Sequence, residues 1–543
     1  MDVKKIVSFG LCAAMMAGCS SASKTNNVFR YATETDIMSM DPTIGTDGTS
    51  MDAMHAINDG LEMFDRNGKV VAGIAKSYDL SKDHKTYTFH LRKNVKWVDY
   101  QGKTVGSLTA KDFVYGWQRI IKNAGEYAYM LGSSGANIKN ADQLINKGTK
   151  ASASELDTLG VKAKDDYTLV VTLEQQVPFF ISLMPFGAFY PEYQKYVEAK
   201  GKKYASNYKN LISNGAFIMT GWTKSKSATF IRNKKYWNAS AVHLSKMVWQ
   251  LGLDAKTAAA SFDAGNLDYA PLTSSLVDKY KNQKTFTTFA DGHLHYLEPN
   301  MKNKYLKNFY IRKALSLAIN RTELCDKILK DGSTEANGFV PKDLCASPKG
   351  VDYRKDVKED YTKYNLKEAQ AAFDKGLKQL GKKSITLSIL YGTDEIAMKD
   401  VAVYAQSCFS KLKGLKLNMV ATVKQDRVNN REPKGQFDIT VTRWGPDYAD
   451  PTTYLNLCET GNTFNRGKWS NKKYDALMNR VRKETNISKR WEDMKEAEKI
   501  AMEDYAKIPL FDKGGAALCS TKVKYLVHKP VCVPYTFAYV EMK

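Results

Sequence analysis

Two periods of apolar residues run along the chain and mark out its elements. Val28-Phe29-Arg30-Tyr31-Ala32 reads as a first strand; residues 87–91 alternate as another, with residues 93–98 following, and residues 168–173 read as a strand as well. Residues 110–121 carry a helical pattern entered by Thr109 as N-cap. Asn214-Gly215 marks a turn before a strand over 216–220, with 228–233 as its partner. The second half alternates more plainly. Leu366, Ala369, Phe373, Leu377 and Leu380 share one helical face, between Asn365 as cap and Gly381 as stop. Ile385, Leu387 and Ile389 then alternate, Ala397, Val401, Tyr404, Cys408 and Leu412 return to helical spacing, and Leu415, Leu417, Met419 and Ala421 alternate again. That is a β-α-β unit, so a right-handed crossover and a partly parallel sheet are expected. Phe437, Ile439 and Val441 form a strand aimed at Trp444, and a last helix runs from about Lys489 and stops before Pro509.

The first residues follow a different logic. Lys4 and Lys5 precede an apolar stretch over 6–16 that is too short to span a bilayer, and Met16-Ala17-Gly18-Cys19 comes next. Small residues before a cysteine resemble a bacterial lipobox. Residues 1–18 are therefore expected to be a signal peptide, Cys19 the lipid-bearing first residue, and 19–27 an anchor and tether. The chain of 543 residues exceeds a single core, and 43% hydrophobic residues suit a globular body. Formal net charge is +23, but the lysines are scattered without an arginine-rich block, which argues against a nucleic-acid groove. Beyond Cys12 and Cys19, the cysteines at 325, 345, 408, 458, 519 and 532 show no zinc-ligand spacing, and their pairing stays open. No P-loop, HExxH, GxSxG or dinucleotide loop occurs, so neither enzyme nor cofactor is implied. His293 and His295 flank Leu294 but have no third ligand nearby in sequence, so no metal is expected.

Four segments together resemble the peptide-binding branch of the extracytoplasmic solute-binding proteins of ABC transporters, family 5. They are Leu108-Thr109-Ala110-Lys111-Asp112-Phe113-Val114-Tyr115-Gly116-Trp117-Gln118-Arg119; Asn214-Gly215-Ala216-Phe217 with Trp222 and Arg232-Asn233-Lys234-Lys235-Tyr236-Trp237; Ile311-Arg312-Lys313-Ala314-Leu315 through Arg321; and Trp444-Gly445-Pro446-Asp447-Tyr448-Ala449-Asp450-Pro451. The resemblance implies an α/β, two-lobed periplasmic-binding-protein-like fold with mixed sheets, a hinge and an extra inserted domain. It divides the chain into lobe I (28–58, 185–289 and 511–543), an extra domain (59–184) and lobe II (290–510). It also implies an extracytoplasmic, lipid-anchored monomer that captures oligopeptides and delivers them to the permease and ATPase subunits of an importer.

A general peptide receptor must grip what peptides share, their backbone and termini. An α-ammonium leaving water needs a fixed carboxylate. Asp447 lies just past a strand end, where ligand crevices of α/β sheets lie, among Trp444, Tyr448 and Tyr454. By resemblance Asp447 holds the peptide amine and Trp444 and Gly445 contact its backbone. Thr46 and Gly48, after Asp41-Pro42, match the other ligand-facing backbone, and Tyr127 and Tyr129 lie where the family places a ligand-facing tyrosine. Arg431 lies near a position used by some members toward a peptide carboxylate, while Gly445-Pro446 departs from the family's usual small residues. Two other roles fit the same residues: a receptor for one short signalling peptide, and a basic surface adhesin.

Overall fold

The computed structural model describes residues 27–395, 397–531 and 534–543. The signal segment, Cys19 and its tether, and Cys532 lie outside the described residues. No described helix is long and apolar enough to cross a membrane. Cys325, Cys345, Cys408, Cys458 and Cys519 are unbridged.

One mixed sheet of eleven strands forms the backbone of the molecule. Ten of them run in the order Phe217–Thr223, Ser227–Arg232, Lys246–Gln250, Val28–Ala32, Tyr269–Leu272, Ile508–Cys519, Phe286–Pro299, Ile439–Trp444, Ile385–Gly392 and Leu415–Thr422, and the short Thr334–Glu335 pairs with Ile508–Cys519 off this path. The two long strands, Phe286–Pro299 and Ile508–Cys519, pair antiparallel at the middle. Their register slips between Ala290 and Leu294, where Gly292 takes φ +88° and sits so close to Pro530 that a Cβ would lie 2.3 Å from its carbonyl oxygen. Only glycine tolerates both conditions.

The expected β-α-β unit is present. Asn365 accepts from the Glu368 N–H at 3.0 Å, the helix Leu366–Leu380 follows, and Gly381 ends it in the left-handed region at φ 61°. Ile385–Gly392 and Leu415–Thr422 pair in parallel across the helix Met398–Phe409. That helix begins one residue after Ala397, which itself takes φ 65°, and Leu412 falls beyond its end. The final helix is Ile487–Glu503, capped by Asn486, with Trp491, Met494, Ala497 and Ala501 buried; Tyr505 lies past its end.

Residues 59–184 carry a four-stranded antiparallel sheet made of Ala75–Leu80, Thr86–Leu91, Thr168–Thr172 and Val161–Asp165. Beside it lies the helix Ala110–Lys122, whose Asp112 accepts from the Thr109 N–H at 2.8 Å. The segment does not close a core of its own: Phe89, Trp117 and Leu169 belong to one continuous cluster with Phe29, Phe217 and Trp249. The second half has separate cores on the two faces of its sheet, one around Ile311, Phe373 and Ile389, the other around Phe339, Tyr474 and Trp491.

Candidate ligand cleft

The strand Ile439–Trp444 points its C-terminal end into a cleft of about 730 Å³. The loop that follows it, Gly445-Pro446-Asp447, forms one wall. Its shape is pinned locally: the Asp447 N–H donates to Thr453 Oγ1 at 3.1 Å, and Thr453 sits on the short helix Thr452–Leu455. Opposite stands the turn Glu126–Leu131, in which Ala128, Met130 and Leu131 are buried and the two tyrosines between them are left facing outward. Tyr129 Oη donates to Asp447 Oδ1 at 3.1 Å, and Tyr127 Oη donates to the Thr46 carbonyl at 3.1 Å.

Asp447 has no Lys, Arg or His partner among the described residues; its side-chain bond is the neutral Tyr129 hydroxyl. Burial pushes its carboxyl up to about 6, against the lowering influence of that hydroxyl. A carboxylate held dry without a cation is costly. It is therefore poised for a cationic group delivered from the cleft.

Of the sequence-predicted residues, Asp447, Trp444, Gly445, Tyr127 and Tyr129 line one cleft. Thr46 and Gly48 border it, Thr46 through the Tyr127 hydroxyl and Gly48 beside Pro534, whose Cγ would lie 3.6 Å from a Cβ there. Gly48 opens the helix Gly48–Ile57, capped by the Asp47 carboxylate accepting from the Ser50 N–H at 2.8 Å. Arg431 is a correction. Its guanidinium is bound at 2.6 Å to Asp426, one turn earlier on its own helical segment, and it is absent from the cleft wall. The basic group that does line the cleft from this region is Lys424.

Other cleft residues were not anticipated. His293 stands at the register slip, its Nδ1 3.2 Å from Asp291 Oδ1 and its Nε2 against Gly445, where a Cβ would lie 2.6 Å away. A side chain at 445 would push the neighbouring imidazole aside. His295, two residues on, is instead buried and stacked on Phe511 with ring centres 4.4 Å apart. No group of three or more metal-ligating side chains occurs among the described residues. The segment His528 to Val531, with Pro534, crosses the cleft floor. His528, lowered to about 4 by burial, packs on Phe289, and Lys529 Nζ reaches Thr536 Oγ1 at 2.5 Å over the face of Phe64. Proline punctuation was the one sequence signal for this strap.

Residues 69–466 match the model of the middle region of the bacterial extracellular solute-binding proteins, family 5. The chain belongs to family 5 of the bacterial extracellular solute-binding proteins. It is 35% identical over 483 residues to the dipeptide-binding protein of Lactococcus lactis subsp. cremoris, covering 86% of this chain and 84% of that one. Among solved family 5 structures, the pheromone receptor PrgZ in its mode of peptide binding is 30% identical, with a TM-score of 0.71 and coverage of 95% of this chain and 100% of that one. The unliganded open form of the murein tripeptide-binding protein MppA of Escherichia coli is 25% identical and has a TM-score of 0.81, covering 95% and 98%. Another structure of MppA gives 0.71 over the same shares. The two-lobed α/β fold expected from the sequence is the fold of these family 5 neighbours, and the present arrangement of the lobes is most like the open one of the two.

Proposed function

We propose that this family 5 protein is the peptide-capturing subunit of an ABC importer, gripping the α-ammonium of a peptide on Asp447. The observation that carries this reading is the half-buried Asp447 carboxylate, raised to about 6 by burial, on the cleft wall with a hydroxyl as its side-chain partner. Trp444 and Gly445 supply backbone contacts from one side, and Thr46, Gly48, Tyr127 and Tyr129 line the other. Lys424 and His293 lie in the same cleft and suit a peptide carboxylate. Lobe I (28–58, 185–289, 511–543), the inserted segment (59–184) and lobe II (290–510) are the moving parts, with the register slip at Gly292 near the hinge. The chain acts as a monomer, tethered outside the cytoplasm through acylated Cys19, and hands its ligand to the permease. It binds and does not transform.

The likeness to an unliganded open form supports closure on ligand by a hinge motion. A mixture of short peptides should reduce the radius of gyration of ligand-stripped protein in small-angle scattering; an unchanged radius at saturation would sink the closure. Cys19→Ala should move the protein from the membrane fraction to the soluble one, since stable anchoring needs two or more acyl chains.

Acid should weaken binding, and the sign follows from the carboxylate. A bound ammonium favours the ionised form of Asp447, whose ligand-free carboxyl titrates at about 6. Affinity is therefore complete well above that value and falls below it, reaching about a tenfold loss near pH ~5. Calorimetry across this range reads the slope, and Asp447→Asn should flatten it.

A receptor for one signalling peptide is the second reading, supported by the likeness to the pheromone receptor PrgZ. Backbone capture predicts that scrambled peptides of equal length bind within about 3 kcal/mol of one another. A single sequence preferred beyond that range would favour the receptor.

A further inference from the structure

Asp447 stands at the junction of two cavities. Besides the main cleft, a second chamber of about 440 Å³ opens beside it, and Tyr129, Trp444 and Asp447 line both. The two differ in chemistry. The main cleft carries charge of both signs, Lys424 and Lys529 against Glu126 and Asp291, with the imidazoles of His293 and His528 beside them. The chamber has no Lys, Arg or His among its lining residues, and Asp447 is its one carboxylate. Its walls are Trp444, Phe464, Tyr448 and Leu457, with the neutral amides of Asn456 and Asn462. Trp444 and Phe464 are paired with ring centres 4.9 Å apart at 58°. Phe464 is nevertheless 44% exposed, an aromatic face left in contact with solvent at the chamber mouth.

We infer that this chamber takes the side chain of the peptide's first residue and selects a large aromatic or apolar one. The inference rests on the reading of Asp447 as the amine anchor. With the ammonium held there, the first Cα lies within one bond of the anchored nitrogen, at the junction. Its carbonyl continues along the charged cleft, where the rest of the chain has polar partners. Its side chain is left to the uncharged chamber. An aromatic ring there covers the exposed Phe464 and gains offset contacts with Trp444. An acidic side chain is left in a chamber whose walls offer it no cation, beside a carboxylate whose charge is already taken by the ammonium. A glycine leaves the aromatic walls wet. The volume exceeds that of any single side chain, so size excludes none of them.

The test uses ligand-stripped full chain and tetrapeptides that differ in the first residue, Phe, Gly or Asp, followed by three alanines, with N-acetylated Phe as a fourth. Calorimetry should rank Phe above Gly by roughly tenfold to a hundredfold and place Asp last. Phe464→Ala should reduce the Phe-over-Gly ratio at least about fivefold. Asn462→Asp gives an independent reading, because the Asn462 side chain accepts from the Phe464 N–H at 2.8 Å and an aspartate keeps that bond. The added charge should shift the ranking so that a Lys-first peptide gains on the Phe-first one. Equal binding of Phe, Gly and Asp with a large acetylation penalty would overturn the chamber and leave the amine anchor standing. Peptide binding that is indifferent to acetylation would overturn both.

Discussion

Asp447→Asn should weaken binding of a free-amine peptide by about 3–5 kcal/mol, or roughly two to three and a half decades in Kd. The substitution keeps the shape of the side chain and its bond from Tyr129, and removes the negative charge that would pair with the ammonium as it leaves water. An N-acetylated peptide lacks that ammonium and should bind the wild type poorly. The two losses should not add, because each removes the same pair. Calorimetry on the four combinations decides the matter: additive penalties, or an unaffected variant, would move the anchor elsewhere. The same substitution should leave the empty protein more stable at neutral pH. Folding raises the Asp447 carboxyl from 3.8 to about 6, so its ionised form opposes folding at pH 7 by about 1–3 kcal/mol, and the asparagine escapes that cost. A denaturation midpoint below that of the wild type would contradict it.

Arg119→Met should destabilise the protein by about 3–5 kcal/mol. Arg119 closes the helix that carries the first family-like segment and reaches two buried carboxylates, Asp41 at 2.6 and 2.7 Å and Glu192 at 2.7 Å. Burial alone would push the Asp41 carboxyl up, but the Arg119 bonds hold it below its usual range. Burial prevails at Glu192, which rises to about 8 even beside the guanidinium. One cation thus serves two acids, one held below its usual range and one pushed above it. Methionine fills much of the volume and strands the Asp41 charge. Since a depressed carboxyl lends stability above its unfolded value and loses it on acidification, the gap between wild type and variant should narrow as the pH falls through about 4. Urea titrations at neutral and acid pH measure this. Peptide affinity should suffer too, because Asp41 begins the loop that carries Thr46 and leads into the helix opened by Gly48.

What the sequence revealed, and what it hid, follows from how far apart the interacting residues lie. The unit over residues 385–422 was legible because each element has one buried face, and Asn365 and Gly381 supply local stop and start chemistry. The helix Gly48–Ile57 was not: Ser50 through Ile57 are all buried, so no face stands out as polar and no period survives. Asp447 could be placed because a strand end and a run of aromatics mark it locally. Arg431 could not, since Asp426 claims it one turn away and the choice between Arg431 and Lys424 depends on how that helical segment is rotated. His293, and the segment His528 to Val531 with Pro534, reach the cleft through a register slip and a crossing that no periodicity encodes. The chamber beside Asp447 exists only where residues from 129 to 464 converge.

Strand Val28–Ala32 and residues 535–537, far apart in the chain, meet in one aromatic cluster, and this governs when that cluster can form. Phe29 and Tyr31 of the first strand pack with Trp249 and with Phe537, and Tyr535 joins the cluster through a 2.6 Å bond between its hydroxyl and that of Tyr269. The Tyr535 N–H donates to the buried Asp52 carboxylate at 2.8 Å. The cluster therefore stays incomplete until Tyr535 and Phe537 have been made, whereas the strands Ile385–Gly392 and Leu415–Thr422 can pair long before. Until then the first strand has no finished core to lock it, and the chain stays open to threading.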